Sequence, residues 1–172
     1  VPTVWLMLLA HLEANKNLKL PHLRKVVIGG SASPRAMIQT FQEGYGVDVC
    51  HAWGMTEMSP LGTLGSIKPE YAHLTGEQRL DVQVKQGHPP FCVEMKITDD
   101  AGAELPRDGK TFGRLKVRGP AVARRYFKED SDVIDAEGFF DTGDVSTIDP
   151  HGYMQITDRA KDVIKSGGEW IS

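Results

Sequence analysis

Lys25-Val26-Val27-Ile28-Gly29-Gly30-Ser31-Ala32-Ser33-Pro34 is the stretch whose reading decides the fold. Its β-branched start reads as a short strand ending at a glycine pair. Pro34 can open a helix at its first position with Ser33 as N-cap, and the helical pattern continues to about Glu43. Residues 47–53 are strand-like again. Strand, glycine turn, helix, strand predicts an α/β layer with a parallel sheet. Working outward, residues 4–14 carry apolar side chains at helical spacing. On the other side, residues 66–81 show little periodicity and read as a long surface connection.

Beyond Gly87 the pattern changes. Short strand signals cover residues 91–98, 113–118, 139–141, 145–148 and 153–157. Turn signals separate them: Asp100-Ala101-Gly102, Arg107-Asp108-Gly109, Ala136-Glu137-Gly138 and Pro150-His151-Gly152. This spacing predicts a small antiparallel β-barrel or sandwich. The fold class is therefore α/β plus β, with residues 1–86 in the α/β unit, 87–158 in the β unit and 159–172 opening something new.

Composition bounds the function. The 172 residues are 40% hydrophobic and 25% charged, a globular balance. A formal net charge of -3 gives no electrostatic case for nucleic-acid binding. The Arg124-Arg125 pair reads as a solvated strand end. Cys50 and Cys92 lack CxxC spacing and sit in strand-like runs, so both read as buried reduced thiols, which fits a reducing cytoplasm. The six histidines show no zinc-ligand spacing. The apolar run at residues 4–10 is too short to span a bilayer, and no charged region precedes it as in a secretory signal.

Three glycine-punctuated segments could carry chemistry. Gly29 to Pro34 lets backbone approach a flat ligand and turns free N–H groups outward; a plain strand-to-helix turn explains it equally well. His51-Ala52-Trp53-Gly54-Met55-Thr56-Glu57 follows a buried-looking strand, and open α/β sheets bind ligands beyond the carboxyl ends of strands. There Trp53 could stack on a base or wall an acyl pocket, Thr56 could donate to phosphate, and Glu57 could hold Mg²⁺, a hard ion that shares oxygen ligands with phosphates. The plain alternative is a core tryptophan, a turn glycine and a Thr-Glu helix cap. In the third segment, Phe140-Asp141-Thr142-Gly143-Asp144 with Asp158-Arg159 downstream, Asp144 in a tight turn could accept from ribose hydroxyls and Arg159 could donate as a fork. A hairpin turn with a surface Asp-Arg pair is the alternative.

In order and spacing these segments resemble the signature motifs of the adenylate-forming superfamily, which holds acyl- and aryl-CoA synthetases, firefly-type luciferases and amino-acid adenylation domains. Trp53-Gly54-Met55-Thr56-Glu57 resembles the aromatic-Gly-x-Thr-Glu motif, and Gly113-Arg114-Leu115 through Tyr126 resembles the next. Phe140 to Asp144 resembles the aromatic-x-Thr-Gly-Asp motif, and Asp158-Arg159 through Gly168 the hinge motif. Val1-Pro2-Thr3-Val4-Trp5, Gly29-Gly30-Ser31-Ala32 and Ile164 to Ser172 look like the medium- and long-chain fatty acyl-CoA synthetase branch. Ala52 stands where that family usually has glycine, Trp53 where it has tyrosine, and Ala123-Arg124-Arg125-Tyr126 replaces a commoner Gly-Tyr ending.

The resemblance implies a fragment of a large N-terminal domain. It implies a fatty acid, ATP and coenzyme A as substrates, Mg²⁺ as cofactor, and acyl-AMP as intermediate. Thr56 would contact phosphate and Glu57 Mg²⁺. Gly30, Ser31, Ala52, Trp53, Gly54 and Met55 would line adenine and the acyl carboxylate, with Ile156 at the nucleotide. Asp144 and Arg159 would hold ribose, and Lys161 would mark the hinge. Lys165, Gly167 and Gly168 would serve the coenzyme A stage, and Trp5 would gate the acyl tunnel, or else pack as a core tryptophan. The family's phosphate loop and C-terminal lysine have no counterpart here, so the fragment is expected to be inactive alone. Peripheral membrane contact and a homodimer stay open. The alternatives are an aryl-CoA ligase, a luciferase-like oxidase, an amino-acid adenylation domain, or a non-catalytic nucleotide-binding module.

Overall fold

The structure, a computed structural model, describes residues 1–159, 164–166 and 169–171. Helix α1 (Pro2–Ala14) starts with proline in its first turn, where a missing N–H costs nothing. Its Trp5 ring meets Phe41 edge-on at 5.9 Å, which gives Trp5 a core role. Strands β1 (Lys25–Gly29) and β2 (Asp48–Gly54) pair in parallel, from Lys25 beside Asp48 to Gly29 beside Ala52. The crossover between them is α2 (Arg35–Gln39), prolonged by a π-helical turn, Thr40–Gly44.

Pro34 is the residue before α2 rather than its first. Its carbonyl already accepts from Met37 and Ile38 N–H, so Ser33 stands one position too early to cap. Ser33 is instead buried. The first sheet is mixed, not wholly parallel. A third strand, β3 (Leu61–Leu64), runs back antiparallel along the end of β2. Gly54 permits this reversal, because a Cβ there would lie 1.9 Å from the Pro60 carbonyl oxygen. The connection at residues 66–81 is not featureless. It holds a 3₁₀ turn, Pro69–Tyr71, and runs into helix α3 (Gly76–Gln83), which Arg35 ties to α2 through Glu77 at 2.5 Å and Asp81 at 2.8 Å.

Gln86 to His88 stitch the two sheets together. His88 exchanges both backbone hydrogen bonds with Leu64 at 3.0 Å, while Gly87 O accepts from Met154 N at 2.7 Å. The Gln86 side-chain oxygen accepts from Ile156 N at 2.8 Å.

The downstream unit is a four-stranded antiparallel sheet in chain order: β4 (Glu94–Thr98), β5 (Phe112–Arg118), β6 (Phe140–Ile148) and β7 (Met154–Arg159). A short hairpin of β8 (Ile164–Ser166) and β9 (Glu169–Ile171) follows. β4 begins three residues later than the sequence pattern suggests. Pro89 and Pro90 have no N–H to donate to a ladder, and Cys92 takes a positive φ of 72°. Phe91 is therefore 96% exposed, and Cys92 is exposed rather than buried as its surroundings suggested. Cys50 is buried. The two strand signals at residues 139–148 belong to one strand, kinked where Gly143 adopts φ 73°.

Each sheet has its own apolar cluster. Val26, Ile28, Met37, Ile38, Phe41 and Leu80 pack around β1 and β2. The second cluster, with Met95, Ile97, Leu115, Val117, Phe140 and Met154, also takes in Trp53 and Met58 from the end of β2 and the turn after it. The chain after β2 is thereby fastened to the second sheet.

Candidate functional site

The parallel pairing puts the glycine segment beside the aromatic one. Gly29 lies opposite Ala52, and a Cβ on Gly29 would meet the Ala52 carbonyl oxygen at 2.8 Å. Gly30 follows at φ 88°, a conformation that favours glycine, and Gly30 and Ser31 are exposed at the carboxyl end of β1. Gly54 is exposed at the end of β2, and Met55 is half-buried.

Trp53 connects the two sheets chemically. Its indole Nε1 donates to Asp144 Oδ2 at 3.0 Å, across 91 positions of sequence. Both side chains are buried, Asp144 at 2% exposure. Asp144 lies within β6 rather than in the tight turn expected for it. The segment around it is self-organised. Asp141 Oδ1 accepts from Gly143 N at 3.0 Å, and Thr142 Oγ1 donates to Leu115 O at 3.0 Å while accepting from Asp144 N at 3.1 Å. The bulge at Gly143 breaks the strand's alternation. Arg159, the last residue of β7, stands directly across the ladder from Asp144. Ile156 is half-buried on the same strand, opposite Ser146.

Thr56 and Glu57 open the 3₁₀ turn Thr56–Met58. The N-cap position belongs to Met55 and no side chain caps the turn, so the Thr-Glu helix cap does not form. Thr56 is exposed. Glu57 is held from the loop after β5: its backbone O accepts from Ala123 N at 2.7 Å, and its Oε1 accepts from Tyr126 Oη at 2.9 Å. The Tyr126 phenol is raised above its ordinary pKa by that bond to the Glu57 carboxylate. Arg124 and Arg125 in the same loop are exposed and both bond Asp132, at 2.7 and 2.9 Å. Among the described residues no cluster of three or more His, Cys, Asp or Glu side chains forms a protein-built metal cage. A single carboxylate such as Glu57 suits Mg²⁺ that takes its other ligands from phosphates and water.

Lys165 pairs with Trp170 in the β8–β9 hairpin. Lys161, Gly167 and Gly168 lie outside the described residues.

Sequence reasoning passed over two residues. Tyr126 lay in a quoted motif without a role. His51 was hidden between Cys50 and Ala52, inside an apolar strand. It is 1% exposed, with Nδ1 3.1 Å from Val84 O and Nε2 3.3 Å from Ser31 O. Burial lowers its pKa, against the opposing pull of those carbonyls. A polar ring in a strand of small buried residues was the available signal, since such a group needs partners. A cleft of about 980 Å³ lies between α1 and α2, and no expected nucleotide residue lines it.

The family model of AMP-binding enzymes matches residues 1–127. The chain is 54% identical over its full length to a 3-methylmercaptopropionyl-CoA ligase of Ruegeria lacuscaerulensis, covering 32% of that protein. It is 49% identical to a medium-chain-fatty-acid–CoA ligase of Ectopseudomonas oleovorans, again along the whole chain and over 31% of that protein. Its structure resembles that of an o-succinylbenzoate CoA synthetase from Bacillus subtilis in complex with its acyl-adenylate intermediate. That match has a TM-score of 0.76 and 28% identity, over 99% of this chain and 32% of the other. The chain thus spans about a third of the length of the curated relatives it matches.

Proposed function

We propose, because this chain belongs to the AMP-binding enzyme family, that it works as part of a longer ATP-dependent, AMP-forming ligase that joins an aliphatic carboxylic acid to coenzyme A. The observation that carries this reading is the bond from Trp53 Nε1 to Asp144 Oδ2 at 3.0 Å, with Arg159 across the ladder from Asp144. It brings two motif segments 91 positions apart in sequence into direct contact.

In this reading adenine lies on the exposed Gly30–Ser31 backbone, with Ala52, Trp53, Gly54 and Met55 forming the wall between it and the acyl carboxylate. Asp144 and Arg159 engage the ribose, with Ile156 beside them. Thr56 donates to a phosphate oxygen. Glu57 would hold Mg²⁺, which would neutralise phosphate charge, and Tyr126 orients that carboxylate. Bound ATP supplies an α-phosphate for carboxylate attack with loss of pyrophosphate. The coenzyme A thiol then displaces AMP from the acyl group. The contribution of the chain to the first step is positioning and charge neutralisation. Residues 1–86 and 87–158 are its two subdomains, and 159–172 lead through Lys161 into a hinge, with Lys165, Gly167 and Gly168 serving the thioester stage. Among the described residues no helix is long and apolar enough to cross a membrane. A cytoplasmic location accords with the reduced thiols Cys50 and Cys92.

The similarity to a 3-methylmercaptopropionyl-CoA ligase favours a second substrate, a short thioether acid, alongside medium-chain fatty acids. The test is AMP release by the complete polypeptide with a panel of straight-chain acids, 3-(methylthio)propionate and benzoate. Coenzyme A-dependent turnover with aliphatic acids is expected. Turnover with benzoate alone would replace the substrate class, and no acid-dependent AMP release would end the ligase reading.

A further inference from the structure

His51 faces two carbonyl oxygens with at most one proton to give when neutral. Its Nδ1 is 3.1 Å from Val84 O and its Nε2 is 3.3 Å from Ser31 O. Its own backbone is fixed on both sides, paired with Ile28 on β1 and accepting from Gly65 N at 2.7 Å.

The two carbonyls differ in what they need. Val84 is the C-cap of α3, where helix carbonyls have lost their intrahelical partners and need a donor. Ser31 belongs to an exposed turn entered through Gly29 and Gly30, whose backbone freedom has to be restrained for a ligand to find it in one place. The imidazole can answer either demand from a strand paired on both edges.

We infer that His51 is a positioning residue whose single ring N–H links the Gly29–Ser31 turn to β2 in the tautomer that donates from Nε2 and the end of α3 to β2 in the tautomer that donates from Nδ1, so that it sets where the adenine-facing backbone lies. The inference rests on the nucleotide reading above. A turn displaced by a fraction of an ångström loses the near-contact alignment on which such catalysis depends.

The two halves of the tether can be cut separately. An Asn amide nitrogen sits two bonds beyond Cβ, as Nδ1 does, and a Gln amide nitrogen sits three bonds beyond, as Nε2 does. His51→Asn therefore keeps the donor toward Val84 and loses Ser31, whereas His51→Gln keeps Ser31 and loses Val84. In the complete polypeptide, amide hydrogen exchange at Ala32 and Ser33 should quicken about tenfold in His51→Asn and stay within about threefold in His51→Gln, with the reverse pattern at Lys85 and Gln86. The KM for ATP should rise about tenfold in His51→Asn alone, with kcat changed less. Equal exchange patterns in the two variants would overturn the inference and leave His51 a packing residue. If the unaltered polypeptide used no ATP, the ligase reading would fall while the exchange contrast still decided the tether.

Discussion

Replacing Trp53 by phenylalanine tests the contact on which the site rests. The substitution deletes the Nε1–H that donates to Asp144 at 3.0 Å and part of an indole packed in the second apolar cluster. A hydrogen bond to a buried charged acceptor contributes about 1.5–3 kcal/mol. The ring also fits closely: a Cβ on Gly62 would lie 2.3 Å from its Cζ3. Phenylalanine would leave a void of about 40 Å³, worth ~1 kcal/mol at ~24 cal/mol per Å³. The sum is about 2.5–4 kcal/mol, a large share of the roughly 5–15 kcal/mol that a folded domain has. With a urea slope near ~2 kcal/mol/M, the midpoint should fall by about 1–2 M, read by far-ultraviolet circular dichroism. The hydrogen bond is isolated by a double-mutant cycle with Asp144→Ala, in which every other contact of Asp144 cancels. Coupling of about 1.5 kcal/mol or more is expected. Coupling below about 0.5 kcal/mol would show that the two side chains act independently, and the argument joining the two sheets at the site would fail.

Gly54→Ala should prevent β3 from folding back on β2, because its Cβ would sit 1.9 Å from Pro60 O; a variant melting within a few degrees of the parent would contradict this close approach. Acid should weaken the fold in two stages. His51 is held neutral by burial, so its folded pKa lies below the ordinary 6.5; the unfolded chain binds its proton first, and stability falls as pH drops below about 6.5. Burial opposes ionisation of Asp149, yet Lys85 Nζ at 2.8 Å and the Tyr153 and His151 N–H groups hold its pKa below 3.8; its stabilisation is lost only as pH falls through that lower folded value. His51→Gln should flatten the first stage of a pH-dependent urea series and leave the second, and an unchanged first stage would refute the assignment. A maleimide should label Cys92 and spare Cys50, whose thiol is buried and raised in pKa by that burial; mass spectrometry showing two fast labels would contradict the packing around β2.

Local chemistry made much of this protein legible. β-Branched runs and glycine pairs marked β1 and β2, and the spacing of Gly54, Thr56, Glu57 and Asp144 carried the family resemblance. The misses have a common cause. Leu61-Gly62-Thr63-Leu64 shows neither clean alternation nor a β-branched run; it is a strand because Gly54 and Gly62 let it press against β2. Cys92 looked like a strand residue, but the two prolines before it and its own φ of 72° delay the ladder until Glu94. The strand signals on either side of Gly143 are one β6, because a bulge opposite β5 keeps the chain in the sheet where a turn would have left it.

By itself, then, the order of residues determined which groups are available: a stacking ring, a hydroxyl, two carboxylates and the glycines that expose backbone. What it left open was which of them touch. The indole of Trp53 meets Asp144 and Tyr126 holds Glu57 where residues 86–88 bind both sheets into one seam, and His51 lies between Ser31 and Val84 within the first sheet and its helices. Local propensity acts over a few bonds, whereas these partners lie 20 to 91 positions apart, and packing of the two apolar clusters is what brings them within hydrogen-bonding distance.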